Sequence, residues 1–292
     1  MYDCIIIGSG PAGISASIYM VRAGLKILVI SENKSIAKKA EIIENYYGFD
    51  EPISGEKLMQ NGINQAKRLG VNFLKKEVVG IKYAENNCYE IIIANQGIDE
   101  KFITKTVILA TGINRKKPNI KGIAEFEGKG ISYCAICDAM FYKNKNVAVL
   151  GNGYYAIEEI DNLSNVTSNI TMLTNGKNAI ENRKDIEINT KKIKEFYGEK
   201  NIEKVVFEDG TSKNIDGVFI AEGTASSVDF AKKIGAKIIE DYIVVNDKME
   251  TNVPNIYACG DCTGGILQIS KAVYQGTVAG LEIIKKIKNS RD

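Results

Sequence analysis

An α/β protein of two Rossmann-like domains is what the sequence predicts, and three observations carry that expectation. A glycine fingerprint at residues 8–13 directly follows an apolar strand run, and a second glycine turn at 151–156 sits in the same context. At 292 residues and 45% hydrophobic content, the chain is long enough and apolar enough for two cores.

The first opening starts at Tyr2-Asp3-Cys4-Ile5-Ile6-Ile7, a buried-strand run. Asp3 interrupts it and a glycine turn ends it, so the N-terminus reads as a core strand rather than a signal peptide. Gly8-Ser9-Gly10-Pro11-Ala12-Gly13 follows, then a helical segment to about Ala23 and a second strand at 26–30. This is the G-x-G-x-x-G dinucleotide fingerprint in its required setting: Gly8 allows the turn, Gly10 lets the backbone approach a pyrophosphate, and Gly13 permits close helix-to-strand packing. The N–H groups at the helix start would face the phosphates.

Around 114–118 the apolar pattern breaks at Arg115-Lys116-Lys117-Pro118, which marks a linker. The second opening runs from the strand Val147–Leu150 through Gly151-Asn152-Gly153-Tyr154-Tyr155-Ala156 into a helix containing Glu158 and Glu159, and a strand at Ile170–Leu173 completes it. Late in the chain, Ile256-Tyr257-Ala258 is a short strand leading into Cys259-Gly260-Asp261, and 270–286 reads as a closing helix.

Charge excludes some functions. With 38 basic and 36 acidic residues the net charge is +2, so no global field points to nucleic acid or an anionic membrane. No apolar run is long enough to span a bilayer, and the expectation is a soluble, cytoplasmic protein with neither nucleic acid nor membrane as partner.

The chemistry concentrates in Cys134-Ala135-Ile136-Cys137-Asp138. Two thiols separated by two residues can close a disulfide, and an acid stands beside them. The chain has no histidine, so protons must come from a carboxylate, thiol, lysine, tyrosine or water, and Asp138 is the leading candidate. Six cysteines in a chain this long do not make a disulfide scaffold; in a reducing compartment a close pair is more often catalytic or metal-binding. Cys4 and Cys88 read as structural. Cys259 and Cys262 form a second C-x-x-C, open to three readings: structural thiols, an auxiliary disulfide, or a four-cysteine zinc site shared with Cys134 and Cys137. A zinc-stabilised binding protein is therefore the different-class alternative to an enzyme.

In order and spacing, Gly8 to Gly13, Glu44-Asn45-Tyr46, Ala110-Thr111-Gly112, Cys134 to Asp138, Gly151 to Glu159 and Gly260-Asp261 resemble the low-molecular-weight thioredoxin reductases over nearly the whole chain. The resemblance implies a homodimer with FAD as cofactor. It also implies an FAD-binding domain from 1–114 and 225–292, with an inserted NAD(P)H-like domain at 115–224 carrying the redox pair. Gly8, Gly10, Pro11, Ala12 and Gly13 would bind the FAD pyrophosphate, and Asp261, after Gly260, the ribityl or phosphate region. Asn45, Thr111 with its neighbours Ala110 and Gly112, and Gln268 with Ile269 would line the flavin pocket. Glu32 stands about where a ribose-binding acid is expected, although Ser31 occupies the aligned position. Cys137 would face the flavin, Cys134 would attack the thioredoxin disulfide, and Asp138 would supply the proton; no metal is implied.

The inserted domain departs from the NADPH-dependent members. Their second glycine turn carries small residues, and their next strand ends in a histidine-arginine-arginine run that clamps the 2′-phosphate. Here the turn carries Tyr154 and Tyr155 and the strand ends in Thr174-Asn175-Gly176, offering neither arginines for NADP nor an acid for NAD. Glu222 adds a repelling charge, while Lys177 and Arg183 are the cations that could replace the arginines. Each lost charged contact to phosphate removes about 1.5–3 kcal/mol. The chain most resembles the ferredoxin-dependent flavin thioredoxin reductases, in which the nicotinamide signature is degraded. With a ferredoxin at about −400 mV and a thioredoxin at about −270 mV, two-electron transfer is downhill by roughly 6 kcal/mol. The alternatives within the enzyme class are an NADPH-dependent thioredoxin reductase with an atypical nucleotide site, a reductase of another disulfide partner, and a redox sensor.

Overall fold

The computed structural model describes every residue except 33–34, 95–99, 113–117, 134, 182, 224 and 290–292, and the side chains of Ile36, Lys39, Ile136 and Cys137 also lie outside the description. The predicted linker therefore falls, apart from Pro118, outside the described residues. The chain opens with β1 (Tyr2–Ile7), α1 (Pro11–Arg22) and β2 (Ile27–Ile30), followed by α2 (Gly55–Arg68), β3 (Asn72–Leu74), β4 (Val78–Ala84), β5 (Cys88–Ile93) and β6 (Glu100–Leu109). These strands form one sheet in the order β3-β2-β1-β6-β5-β4. β1 is parallel to both neighbours, with Ile5 opposite Leu28 and Val107. Because it is covered on both faces it reads as the unbroken run Cys4-Ile5-Ile6-Ile7, all buried, rather than an alternating pattern. Each such isoleucine contributes about 1.5–3 kcal/mol through burial.

The inserted stretch carries β7 (Ile131–Ser132), α3 (Ala135–Asp138), β8 (Val147–Leu150), α4 (Tyr154–Ser164), β9 (Ile170–Leu173), β10 (Glu187–Asn189), β11 (Ile193–Tyr197), β12 (Lys204–Phe207), β13 (Ser212–Asn214) and β14 (Gly217–Ile220). Five strands make a parallel sheet, β10-β9-β8-β14-β7, and β11-β12-β13 an antiparallel one. Leu150, Leu173 and Val218 of the first share a core with Phe196 and Phe207 of the second.

The chain then returns as α5 (Ser227–Lys233), β15 (Ile238–Ile239), β16 (Tyr242–Ile243), β17 (Ile256–Ala258) and α6 (Ile269–Asn289). β17 joins the first sheet parallel to β6, which changes partner along its length: Glu100 to Thr104 pair with β5, Val107 to Leu109 with β17. α6 packs on α1 through small residues. A Cβ on Gly276 would collide with the Ala12 carbonyl, and Ser15 Oγ donates to Val273 O at 2.9 Å. Close approach at Ala12 seats the start of α6 beside the first glycine turn.

Two compact units result, 1–114 with 226–292 and 115–225, so Ala225 groups with the inserted unit, one residue beyond the boundary expected from the sequence. α6 also extends further at both ends than the expected 270–286, its last turn carrying Lys286 and Lys288, which suit the negative end of a helix. Among the described residues no helix is long and apolar enough to cross a membrane.

Candidate functional site

The carboxyl ends of β1, β6 and β17 are laced together: Ala110 N donates to Ile7 O at 2.9 Å and Cys259 N to Leu109 O at 3.1 Å. Gly8, the Ala110-Thr111-Gly112 run and Gly260-Asp261 are thereby brought to one edge of the sheet, the crevice where open α/β sheets bind ligands. Gly8 has φ +113°, and a Cβ there would collide with the Ala110 carbonyl; a Cβ on Gly13 would collide with the carbonyl of Gly8. Gly10 differs. A Cβ there would meet nothing nearer than Ser35 Oγ at 3.8 Å, so the space in front of the turn is open. α1 begins at Pro11 without a side-chain cap, leaving the first-turn amides of Ala12 and Gly13 for a ligand. The turn fits a dinucleotide pyrophosphate.

Around this turn the structure joins residues far apart in sequence. Asn45 Nδ2 donates to Gln268 Oε1 at 3.2 Å, linking two residues expected to line the flavin pocket. Ile269 opens α6, and Gly260 lies against Ala12, a Cβ there standing 3.0 Å from that of Ala12. The Thr111 hydroxyl donates to Ser227 Oγ at 2.8 Å and accepts from Ser227 N at 2.6 Å. Sequence reasoning missed Ser227, although Ser226-Ser227-Val228-Asp229 carries a legible capping box, present at the start of α5. Beyond β2, Ser31 meets the turn, accepting from Ser9 Oγ at 3.0 Å, while Glu32 lies one residue further on and is partly buried.

In the inserted unit Cys134 lies outside the described residues, as does the Cys137 side chain, though the backbone of Cys137 belongs to α3. Asp138 closes α3, and its Oδ2 accepts from Ser132 Oγ at 2.7 Å. It lines a cleft of about 910 Å³ together with Lys129, Phe141, Tyr142 and Lys145. Burial pushes the Tyr142 hydroxyl above its ordinary range, and the charges of Asp138 and Asp216 add to this. Met140 and Phe141 just after the C-x-x-C motif are 71% and 73% exposed. Behind it, Glu159 of α4 is buried and accepts from Ala135 N at 2.7 Å, anchoring the start of α3. The sequence presented Glu159 only as a helix residue.

The late pair behaves differently from a reactive motif. Cys259 and Cys262 are free and buried, with Cys262 Sγ facing Cys259 O at 3.3 Å and Leu109 O at 3.5 Å. Burial pushes both thiols up, Cys262 to about 11. Neither is a ready nucleophile.

The second glycine turn is tied to its own chain at Asn152, while a Cβ on Gly153 would meet nothing nearer than Gly223 O at 3.6 Å. Asn152 Nδ2 donates to Asn178 O at 3.0 Å and Asn152 O accepts from Ile180 N at 2.9 Å, so the loop after β9 lies across the turn. That loop leaves β9 through Asn175 and Gly176 in left-handed backbone, φ +49° and +81°, with Asn175 Oδ1 taking Ile193 N at 2.9 Å. Lys177 is ion-paired with Glu222, and Arg183 with Asp161 and Asp185. Both cations that could replace the missing arginines are engaged. Tyr155 is buried at 2% exposure, packed into the unit, while Tyr154 is partly exposed.

A model of the pyridine nucleotide-disulphide oxidoreductase family matches residues 2–276. The thioredoxin reductase of Ureaplasma parvum serovar 3 is 33% identical, the match covering 96% of this chain and 95% of that protein. The atypical thioredoxin reductase from Desulfovibrio vulgaris Hildenborough superposes with a TM-score of 0.90 at 35% identity, over 98% of this chain and 99% of that one. A ferredoxin-flavin thioredoxin reductase from Clostridium acetobutylicum gives a TM-score of 0.72 at 32% identity, over 99% and 98%. With matches this complete across both units, the chain belongs to the low-molecular-weight thioredoxin reductases of the pyridine nucleotide-disulphide oxidoreductase family, and is a flavin disulfide reductase of that kind.

Proposed function

We propose that this enzyme uses FAD to reduce the disulfide of a thioredoxin through Cys134 and Cys137, with reduced ferredoxin rather than a nicotinamide as donor. The observation that carries the choice of donor is the second glycine turn, where the loop after β9 is hydrogen-bonded across Asn152 and both nearby cations are paired. The loop bonded to Asn152 narrows the approach to that turn, and a 2′-phosphate would have to break the ion pairs of Arg183, the one arginine among the described residues of the unit. The likeness to a ferredoxin-flavin thioredoxin reductase points the same way.

In this reading Gly8, Gly10, Pro11, Ala12 and Gly13 hold the pyrophosphate against the start of α1, and Asp261, after Gly260, holds the ribityl chain. Asn45, Ala110, Thr111, Gly112, Gln268 and Ile269 surround the flavin, and Glu32 approaches the ribose. When bound, FAD supplies a carrier that accepts single electrons and delivers pairs. Cys137 receives the pair as the Cys134–Cys137 bond opens, and Cys134, as thiolate, attacks the thioredoxin disulfide. Asp138, held by Ser132, supplies the proton. The exposed Met140 and Phe141 offer an apolar contact for thioredoxin beside the motif. The enzyme works as a homodimer.

The test is to load the protein with FAD anaerobically and follow flavin absorbance on adding NADPH, NADH and reduced ferredoxin in turn, then thioredoxin. Bleaching by ferredoxin alone, with electrons passing on to thioredoxin, is expected. Rapid bleaching by NADPH would restore an ordinary NADPH-dependent reductase; bleaching by ferredoxin without turnover of thioredoxin would point to another disulfide partner.

A further inference from the structure

One cation of the first unit stands where helix electrostatics oppose it. Lys271 lies in the first turn of α6, at the positive end of the helix dipole, where an added positive charge is unfavourable. Its side chain reaches back toward the helix start, as helical side chains do. Nζ donates to Gly260 O at 2.8 Å and Gly264 O at 2.6 Å, with Thr263 Oγ1 at 3.5 Å. Those two carbonyls bracket the 3-10 turn Asp261–Thr263, whose flanking glycines have φ +86° and +73°. From the next turn of α6, Gln275 Oε1 accepts from Gly260 N at 2.9 Å and Thr263 Oγ1 at 3.0 Å. The turn is thus pinned to α6 twice, once by a neutral amide and once by an ammonium.

Gln275 reaches Gly260 N and Thr263 Oγ1, whereas Gly264 O is met by the ammonium, which is costly in this place. It is half-buried, and burial lowers its pKa, opposed chiefly by Asp261. A positive charge kept here in spite of the dipole and the burial is available to a negative charge on a ligand bound at this turn. Asp261 is a nearby counter-charge, yet Nζ is bonded to main-chain carbonyls rather than to that carboxylate, which leaves the carboxylate free of a direct bond to the ammonium.

We propose that Lys271 is a positioning residue for bound flavin: it clamps the Gly260 to Gly264 turn so that Asp261 is presented to the cofactor, and its charge favours the reduced, anionic flavin over the oxidised, neutral one. The inference rests on the FAD reading above, in which Gln268 and Ile269, three and two residues before Lys271, belong to the flavin pocket. Reduction brings two electrons and one proton to the ring and leaves one net negative charge; the electrons come from the iron–sulfur donor, and Lys271 keeps its proton throughout.

The experiment compares K271Q and K271R with the unaltered enzyme by two readouts that need no turnover: FAD titration of the apoprotein by fluorescence, and the flavin midpoint potential against a reference dye. K271Q keeps donors for the carbonyls without the charge. It is expected to bind oxidised FAD as tightly as the unaltered protein but reduced FAD about tenfold less tightly, moving the two-electron midpoint about 30 mV more negative. K271R is expected to keep the unaltered potential. An unchanged potential in fully loaded K271Q overturns the inference, as does an equal shift in K271R, which would mark shape rather than charge. A K271Q apoprotein that no longer folds also overturns it, by making the lysine structural. Failure of the unaltered protein to take up FAD would overturn the cofactor reading itself.

Discussion

The two glycine turns begin alike and end differently. Gly8 and Gly151 each close a parallel strand against the carbonyl of a neighbouring strand end, Ala110 in one unit and Ala221 in the other, and each is followed by a helix with no side-chain cap. A Cβ on Gly10 or on Gly153 would meet nothing nearer than 3.8 and 3.6 Å, so the turns differ at the residue between the glycines: Ser9 bonds Ser31 just after β2, whereas Asn152 is bonded to Asn178 and Ile180, further along the loop after β9. A glycine fingerprint is therefore retained for two separable reasons. Its first position serves strand-to-turn packing, which both units need, whereas ligand binding depends on what lies before the turn. The motif reports the fold in both units; whether it also holds a nucleotide depends on the chain around each turn.

The sharpest way to break the comparison is a matched pair of substitutions. Gly8→Ala forces a side chain into left-handed backbone and into the Ala110 carbonyl, and should cost about 3 kcal/mol in urea unfolding. It should also sharply reduce the flavin-to-protein ratio. Gly151→Ala meets the Ala221 carbonyl and the Ala156 Cβ, so it should destabilise its unit too, with FAD content unchanged. Equal flavin loss in both variants would dissolve the distinction between the turns.

A second, smaller effect separates the two C-x-x-C sequences through pH. Cys262 has a folded value of about 11 against an ordinary value near 9. Above pH 9 the unfolded chain releases this proton and the folded one retains it, so the contribution to stability is intact below about pH 9 and declines as pH rises towards 11, by about 1.4 kcal/mol per pH unit. Equilibrium unfolding across this range should show a decline that Cys262→Ala lessens. A Cys262 that alkylates rapidly in the folded protein at neutral pH would contradict its assignment as a buried thiol.

The smallest expected effect tests the closed turn directly. Asn152→Ala removes the bond to Asn178 O and should cost about 1 kcal/mol, read by thermal unfolding. It should not by itself permit bleaching by NADPH, because the Ile180 N bond to the Asn152 carbonyl remains and Lys177 and Arg183 stay paired. NADPH reduction of this variant would show that a single side chain holds the site shut.

Local chemistry was enough for much of this protein. Buried parallel strands demand continuous apolar runs, and tight strand-to-helix turns demand glycine, so β1, β8, both turns and the helices after them were legible in the order of residues. The Cys134 to Asp138 motif could be singled out for the same reason, its proposed chemistry lying within five consecutive residues. What the sequence could not disclose is which distant groups meet. Asn45 reaches Gln268 across 223 residues and Thr111 reaches Ser227 across 116; no short window contains both partners. Lys177 and Arg183 looked available for a phosphate until the packing of their unit gave them Glu222, Asp161 and Asp185. Lys271 drew no attention in the sequence, where it is one residue of a closing helix; its two carbonyl partners lie on a turn between β17 and α6. Periodicity and turn chemistry act between neighbours and so are written along the chain; hydrogen-bond and charge partners are chosen by proximity in space, which exists only once the sheets have formed and the helices have packed on them.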